Sequence, residues 1–177
     1  FILYNVIIMQ IPKFMIPHLR TDHAGETGAV FIYKGILMFS RDKKLKIFAK
    51  NHLKTESEHL RLLNSILPLD KRSKLTFFWK ICGFLTGSVP ALVSSKLVYI
   101  TIFYVETFVE KHYQHQIDLL KESYPTLKKN LINLKGDEVQ HKEEAFKQIN
   151  SINFFEKFWS SLVTNGSSFA VKISKII

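Results

Sequence analysis

The chain has 177 residues, one cysteine and a formal net charge of +10, and 46% of its residues are hydrophobic. This length suits a single domain with a sizeable core, and the lone Cys82 excludes an internal disulfide and a thiolate metal cluster. Because Lys and Arg are spread along almost the whole chain, the charge does not indicate a nucleic-acid partner. Basic residues beside apolar, tryptophan-containing stretches are more typical of proteins on an anionic membrane surface.

Helices account for all the secondary structure that we predict. The chain has only seven glycines and five prolines, and it shows no sustained two-residue alternation. We expect an apolar lead-in over residues 1–20 and one domain over residues 21–177. Its predicted helices cover about residues 21–40, 42–67, 75–89, 90–124, 126–150 and 154–177.

The predicted helix boundaries rest on residues that favour helix starts. Thr21 or Asp22 can cap the first helix, and Pro90 suits the first position of the fourth. Pro125 begins the fifth helix in the same way.

The apolar stretch over residues 75–105 raises the question of a membrane span. Lys80, Pro90 and Lys96 interrupt it, and no uninterrupted part reaches the ~20 residues that a span needs. We therefore expect the helices near 75–89 and 154–177 to lie in a membrane interface with their apolar sides down. A plain buried helix pair is the alternative.

Each of four predicted helices has a seam, a line of apolar residues along one face, that is interrupted by an acidic residue. These residues are Glu26, Glu56, Glu106 and Glu138. Two of them open a Glu-x-x-His step, which places His59 and His141 on the same helix faces. Burying an unpaired carboxylate costs several kcal/mol, so four that converge require a strong positive charge between them. A pair of metal ions meets this requirement.

These six residues also form a faint internal repeat. The sequence separation between Glu26 and Glu106 nearly equals the separation between the two Glu-x-x-His steps. Two helix pairs, each with one lone glutamate and one Glu-x-x-His, would be related by a pseudo-twofold axis. Such symmetry suits a site for two metal ions.

The ligand set predicts both the fold and the metal. One glutamate from each of two helices, with Glu-x-x-His from each of two others, is typical of ferritin-like di-iron and di-manganese bundles. We therefore predict an all-α fold, a ferritin-like four-helix bundle with two additional interfacial amphipathic helices. Oxygen donors with one imidazole per metal suit iron or manganese. The bridging ligands would be Glu56 and Glu138, and the ends would be completed by Glu26 with His59 and by Glu106 with His141.

Other polar residues near the seams have competing interpretations. We expect His52, one turn before Glu56, to be a hydrogen-bonded core histidine and not a seventh ligand. Asp22 and Asp137 can accept hydrogen bonds from ligand imidazoles or cap helices. Glu110, one turn after Glu106, could serve as a spare ligand, but we expect it to form a surface salt bridge with a lysine.

Several segments resemble the motifs of the demethoxyubiquinone hydroxylase family over about residues 18–177. The most specific is the opening motif, Arg20-Thr-Asp-His-Ala-Gly-Glu-Thr-Gly-Ala29 followed by Ile32-Tyr33. The later motifs are matched by Glu56-x-x-His59-Leu60, by Val105-Glu106 with His112-Tyr113 and Gln116-Ile117, and by Asp137-Glu138-x-x-His141. Thr107 departs from many relatives, which carry a second acidic residue there, and we expect altered tuning without loss of metal.

The resemblance implies a 5-demethoxyubiquinone monooxygenase with two iron ions. Such an enzyme uses dioxygen to hydroxylate the ring of a demethoxyubiquinone or demethoxyubiquinol precursor in ubiquinone biosynthesis. The resemblance also implies NADH as cosubstrate, with His112 and Tyr113 as electron-transfer residues near the irons.

The resemblance further implies the surroundings of the protein. The substrate would be a polyprenyl quinone, and the protein would be peripheral on an inner membrane, at the bacterial cytoplasmic face or the mitochondrial matrix face. A ubiquinone-biosynthesis complex would be a partner, joined in eukaryotes by a lipid-binding accessory protein, and a homodimer is compatible with the family.

Two other functional classes stay open. A soluble ferritin- or rubrerythrin-like protein that handles iron or reduces peroxide uses a similar ligand set but has no use for interfacial helices. A non-catalytic membrane-surface bundle would pair its seam carboxylates with lysines.

Overall fold

Six α-helices and two short 3-10 turns form the part of the chain that the structure describes, residues 11–120 and 122–177, and no strand occurs there. The structure is a computed structural model. Residues 1–10 of the expected lead-in lie outside the described residues. The all-α class is confirmed. The helices are α1 (Ile16–Phe39), α2 (Lys43–Ile66), α3 (Thr76–Val93), α4 (Ser95–Leu120), α5 (Pro125–Phe146) and α6 (Phe154–Ser174).

Four of these helices, α1, α2, α4 and α5, form a bundle. Helix α1 packs on α2 and α4 packs on α5, whereas α3 covers α1 and α6 covers α4. The apolar core is divided into two clusters along the bundle axis. One surrounds Ile36, Ala49 and Ile102, and the other surrounds Leu63 and Leu131. The acidic seam positions lie between these clusters, so the fold encloses them on both sides.

The first helix begins earlier than predicted. It starts at Ile16, and Pro17 occupies the first turn, where the missing N–H of proline costs nothing. The predicted boundary at residue 20 is therefore wrong. The proposed caps are wrong as well, because Thr21 and Asp22 lie inside α1, where the Thr21 hydroxyl donates to the His18 carbonyl at 2.6 Å.

The boundary between the third and fourth helices also differs from the prediction. Pro90 lies inside α3, and the break falls at Ser94, whose backbone is extended (φ −166°, ψ 154°). The Ser94 hydroxyl accepts from the Leu97 N–H at 3.1 Å and so caps the start of α4. Farther along the chain, α5 ends at Phe146, short of the predicted end near Asn150.

Helix α3 approaches α1 unusually closely because glycines line the contact. A Cβ atom on Gly83 would overlap the Gly28 carbonyl, and one on Gly87 would overlap the Ile32 carbonyl. Close approach of two backbones needs residues without side chains. The outer helix is thereby fixed against the helix that carries Glu26.

Candidate metal centre

The structure brings the six predicted ligands together in the middle of the bundle. Every one of them is buried, with at most 4% of its surface exposed. They fall into two groups in which one ligand atom per residue lies within 4.8 Å of the others. The groups are Glu26, Glu56, His59 and Glu138, and Glu56, Glu106, Glu138 and His141. Because Glu56 and Glu138 belong to both groups, they lie where bridging ligands would be needed.

Both histidines face the carboxylates through Nδ1. His59 Nδ1 lies 3.2 Å from Glu138 Oε1 and 3.6 Å from Glu26 Oε2. His141 Nδ1 lies 3.0 Å from Glu56 Oε1 and 3.3 Å from Glu138 Oε2.

Although these nitrogen and oxygen atoms lie close together, several of them make no hydrogen bond of acceptable geometry: Glu26 Oε2, both Glu56 carboxylate oxygens, Glu138 Oε2, His59 Nδ1 and His141 Nδ1. Buried polar atoms normally make hydrogen bonds. A cluster of carboxylate oxygens and imidazole nitrogens without them therefore fits bound metal cations.

The carboxylates perturb one another strongly. Burial raises the pKa of Glu26 well above its usual value, and the charges of Glu56 and Glu138 raise it further. Burial and the same two charges raise the pKa of Glu106. Four ionised carboxylates cannot share this volume without positive charge.

The pKa values of the two imidazoles are also raised, which in their case stabilises the charged form. Burial disfavours the charged form of His141, but Glu138 and Glu56 outweigh it and raise its pKa to about 10. Burial opposes ionisation of His59 in the same way, and its carboxylate neighbours again raise the pKa. Protons on these imidazoles supply positive charge that bound metal ions would replace.

No lysine or arginine of the described residues 11–120 and 122–177 lies within 4 Å of the four buried carboxylates. Among the residues that the structure describes, the basic side chains at this distance are His59 and His141. The alternative in which seam carboxylates pair with lysines is therefore wrong. The lysine partner expected for Glu110 does exist, because Lys142 binds it at the bundle surface.

Two tyrosines contact the end carboxylates across the bundle. Tyr113 of α4 donates to Glu26 Oε1 of α1 at 2.5 Å, and Tyr33 of α1 donates to Glu106 Oε1 of α4 at 3.4 Å. The role of Tyr33 was not predicted from the sequence. The sequence does contain an indication of this role, because Tyr33 and Tyr113 are separated by the same number of residues as Glu26 and Glu106.

The two candidate acceptors for ligand imidazoles lie in different places. Asp137 Oδ2 accepts from His59 Nε2 at 3.0 Å, as an acceptor behind a ligand would. Asp22 contacts neither ligand imidazole. Its Oδ1 instead accepts from Gln116 Nε2 at 2.6 Å and lies 3.3 Å from His112 Nε2.

Two further histidines, His52 and His112, lie near the centre. His52 is buried and donates through Nε2 to Glu144 Oε2 at 2.9 Å, as expected of a hydrogen-bonded core histidine. His112 donates through Nε2 to the Thr21 hydroxyl at 2.8 Å and forms part of a cavity wall.

That cavity, of about 440 Å³, lies between α1, α3, α4 and α6. Its inner end is formed by Glu26, Glu56, Glu106 and Glu138. Its remaining wall is mostly apolar and includes Trp79, Trp159, Leu85, Leu162 and Phe169. Leu85, Leu162 and Phe169 are also more than half exposed, so the cavity joins the buried carboxylates to the outer face of α3 and α6.

The outer face of α3 and α6 is strongly apolar. Its exposed side chains are Phe77, Phe78, Ile81, Leu85, Val89, Leu92 and Val93 on α3, and Phe154, Phe155, Phe158, Leu162 and Phe169 on α6. By length and composition alone, α3 is the one helix of the described residues that could cross a membrane. So many exposed large apolar side chains on two helices that line one cavity are unusual on a soluble monomer and indicate an apolar partner.

Sequence comparison matches nearly the whole described chain to one protein family. Residues 13–174 match the family described as ubiquinone biosynthesis protein COQ7. A relative from Dictyostelium discoideum is 28% identical over 162 residues, which cover 88% of this chain and 74% of the relative. It is named NADPH-dependent 3-demethoxyubiquinone 3-hydroxylase, mitochondrial.

Two further relatives carry similar names. The 3-demethoxyubiquinol 3-hydroxylase of Rhodospirillum rubrum is 29% identical over 132 residues, covering 72% of this chain. The 5-demethoxyubiquinone hydroxylase, mitochondrial, of Saccharomyces cerevisiae is 30% identical over 149 residues, covering 73% of this chain. The chain spans 62% and 64% of the lengths of these two relatives.

Proposed function

Since this chain belongs to the family of the ubiquinone biosynthesis protein COQ7, we propose that it hydroxylates the ring of a demethoxylated ubiquinone precursor. One observation carries the proposal. Buried, unpartnered carboxylate and imidazole atoms lie at the inner end of an apolar cavity that reaches the outer face of α3 and α6. An apolar substrate can enter along this cavity and place its ring beside the candidate metal centre.

We propose that two iron ions are held by the six ligands, with Glu56 and Glu138 shared between them. Iron supplies the activation of dioxygen that no side chain provides. The donor set also suits manganese, so the metal bound to the purified protein should be identified alongside each activity measurement.

The surrounding residues orient the ligands and exclude water. The Tyr113 and Tyr33 hydroxyls hold Glu26 and Glu106 from the opposite helix. Trp79 and Trp159 contribute to the cavity wall, and their ring N–H groups are already bonded to Ser73 and Thr101. The wall therefore presents mainly apolar surface to a quinone and keeps competing water away from the reacting ring.

Reducing equivalents must reach the centre from outside it. We propose His112 and Tyr113 for this role, because His112 lies in the cavity wall and Tyr113 contacts Glu26. The Dictyostelium relative is named for NADPH, whereas the resemblance in the sequence implied NADH. We propose a reduced nicotinamide nucleotide as the electron source, to be identified by comparing the two.

We propose peripheral attachment to a membrane through α3 and α6. Helix α3 is apolar enough to span, but its glycine contacts fix it along α1, which carries the buried Glu26. A helix held in this way lies in the interface and buries its outer face in lipid. The relatives from Dictyostelium and yeast are named mitochondrial, which supports a mitochondrial location in eukaryotes and leaves the inner membrane as our proposal.

The remaining partners stay predictions. They are the complex with other ubiquinone-biosynthesis proteins, the lipid-binding accessory protein and the homodimer.

Complementation tests the proposed activity. The chain is expressed in cells that lack their own demethoxyubiquinone hydroxylase, and the quinones are extracted and separated. We expect the accumulated precursor to be converted into ubiquinone. Glu56→Ala should abolish conversion, whereas Glu58→Ala, which alters an exposed residue of the same helix, should not. Persistence of the precursor, with a folded protein that contains iron, would contradict the activity.

The iron-handling alternative predicts a different distribution. A soluble storage or peroxide-reducing protein would remain in the aqueous fraction without detergent. The apolar outer face and the apolar cavity disfavour that class, because neither helps to store iron.

A further inference from the structure

The two ends of the candidate metal centre differ in what lies behind their histidines. His59 Nε2 donates to Asp137 Oδ2 at 3.0 Å. His59 and His141 are separated in the sequence by the same number of residues as Thr55 and Asp137. Thr55 is therefore the counterpart of Asp137 at the other end of the centre, and His141 has no carboxylate at this position behind it. No side-chain hydrogen bond reaches His141 Nε2 from residues 11–120 and 122–177.

His141 is instead packed against another ring. The centroids of His52 and His141 are 4.0 Å apart. Glu144 is hydrogen-bonded to His52 and makes no salt bridge with His141 among the described residues. The pseudo-twofold relation of the ligands therefore stops at the residues that support them.

The tyrosine contacts differ in the same direction. Tyr113 holds Glu26 through a 2.5 Å hydrogen bond, whereas the corresponding contact from Tyr33 to Glu106 is 3.4 Å. Glu26 and His59 are thus each held by a short hydrogen bond from a residue outside the six ligands, whereas Glu106 has only the longer Tyr33 contact and His141 has none. A ligand that is already oriented loses less freedom when an ion binds.

A carboxylate behind a ligand imidazole has a known chemical effect. It fixes the proton on Nε2, leaves Nδ1 free for the metal and makes that nitrogen a stronger donor, with typical effects of about 10- to 100-fold on metal affinity. The Asp137 side chain is 50% exposed, so solvent screens its charge. The effect should therefore be near the lower end, about tenfold.

We infer that the two metal positions are inequivalent, and that the position at Glu26 and His59 binds a divalent ion first and more tightly than the position at Glu106 and His141. Asp137 acts as the positioning residue for the tighter position. This inference rests on the proposed two-metal centre.

Stepwise metal binding tests the inference without an activity assay. The metal-free full chain in detergent is titrated with Mn²⁺ without oxygen, and the free ion is followed by electron paramagnetic resonance. We expect two steps that differ at least about tenfold in affinity. Asp137→Asn should weaken the first step about tenfold and leave the second unchanged. Glu144→Gln, which removes a partly exposed carboxylate next to a non-ligand histidine, is the matched control and should leave the first step unchanged.

A gain of function provides the converse test. Thr55→Asp offers the second imidazole the carboxylate that it lacks, so the weaker step should become tighter and the two steps should converge. Circular dichroism establishes that each variant is folded. Equal affinities in the unaltered chain, or an equal loss at both steps in Asp137→Asn, would overturn the inference but not the metal centre. Failure to bind two ions would overturn both.

Discussion

The interior of the bundle and the outer face of α3 and α6 each reverse the usual distribution of polar and apolar groups. Inside, four carboxylates and two imidazoles are nearly inaccessible, with Glu56 and Glu138 each 1% exposed. Outside, Phe77 is 75% exposed and Phe154 is 88% exposed. Neither arrangement is stable in water alone, so each region needs a component that the chain does not supply.

The two regions differ in what completes them. The interior needs positive charge, and its orphaned oxygen and nitrogen atoms fit metal ions. The outer face needs an apolar medium, and in the proposed function this medium is a membrane. The cavity connects the two, so a lipid-soluble substrate can pass from one to the other without crossing water. Four substitutions test this comparison: one alters the interior, one the contact between α1 and α3, one the outer face and one the start of α6.

Removing a shared ligand should have the largest effect. In Glu138→Ala, the metal content should fall from two ions per chain to less than one, and hydroxylation should fall to background, because both ions lose a ligand. Inductively coupled plasma mass spectrometry measures the first, and quinone analysis the second. Glu143→Ala, on the exposed side of the same helix, should retain both ions. Full metal content in Glu138→Ala would show that this residue is not a ligand.

A substitution at the contact between α1 and α3, which joins the interior to the outer face, should have the next largest effect. In Gly83→Ala, the new methyl group meets the Gly28 carbonyl, so α3 must move away from α1. We expect a loss of about 2 kcal/mol or more in the free energy of unfolding. Urea unfolding in detergent measures it.

A second glycine gives the matched control for this change. A Cβ on Gly136, which is exposed in α5, meets nothing within 4 Å. Gly136→Ala should therefore stabilise the protein by up to about 1 kcal/mol through helix propensity. Similar losses in both variants would contradict the close α1–α3 contact.

A charge on the outer face should affect membrane binding alone. Phe158 is 62% exposed on α6, and Phe158→Asp should lower the vesicle partition coefficient about tenfold, through the lost burial of one aromatic side chain. Sedimentation with anionic vesicles measures this, while the metal content should stay at two ions. Ile47 is equally exposed on α2, so Ile47→Asp is the control and should bind vesicles normally. Equal losses in the two variants would show that the apolar face has no special role.

The smallest effect should come from the start of α6. Glu156 accepts from the Asn153 N–H in a capping box and pairs with Lys96, and the backbone bond together with Lys96 lowers its pKa. A lowered carboxyl pKa gives stability that is present above the unfolded value near 4.5 and is lost as the pH falls through the folded value.

Glu156→Gln keeps the capping box and removes the charge. It should cost less than about 1 kcal/mol at pH 7, and the cost should vanish at an acidic pH below the lowered folded pKa of Glu156. Thermal unfolding at the two pH values measures this difference. A constant difference at both would show that the charge of Glu156 does not contribute.

The candidate ligands could be predicted from the sequence because a buried carboxylate on an apolar seam is rare. Their helical spacing fixes which face they share, and the matching sequence separations indicate how the helices pair. The roles of Asp22 and Asp137 could not be separated in this way. Asp22 lies one helical turn before Glu26 and Asp137 directly before Glu138, and only the packed bundle shows that Asp137 reaches His59 whereas Asp22 reaches Gln116 and His112.

Helix boundaries were less predictable for a local reason. Pro90 is compatible with a helix start, yet the packing of α3 on α1 keeps it inside a helix, and the turn falls at Ser94. The start at Ile16 was missed because Thr21 and Asp22 are good caps in isolation. Inside α1 they make other contacts, with His18 and Gln116.

The amino-acid sequence by itself determined the helical class, the four acidic seams with their two histidines, and the apolar character of α3 and α6. These depend on residue type and on periods of a few residues, which are local properties of the chain. Only the tertiary structure decided that Tyr33 contacts Glu106, that Asp137 supports one imidazole alone and that a cavity joins the centre to the outer face. Such contacts join side chains that are far apart in the sequence, and they depend on how neighbouring helices are rotated and spaced.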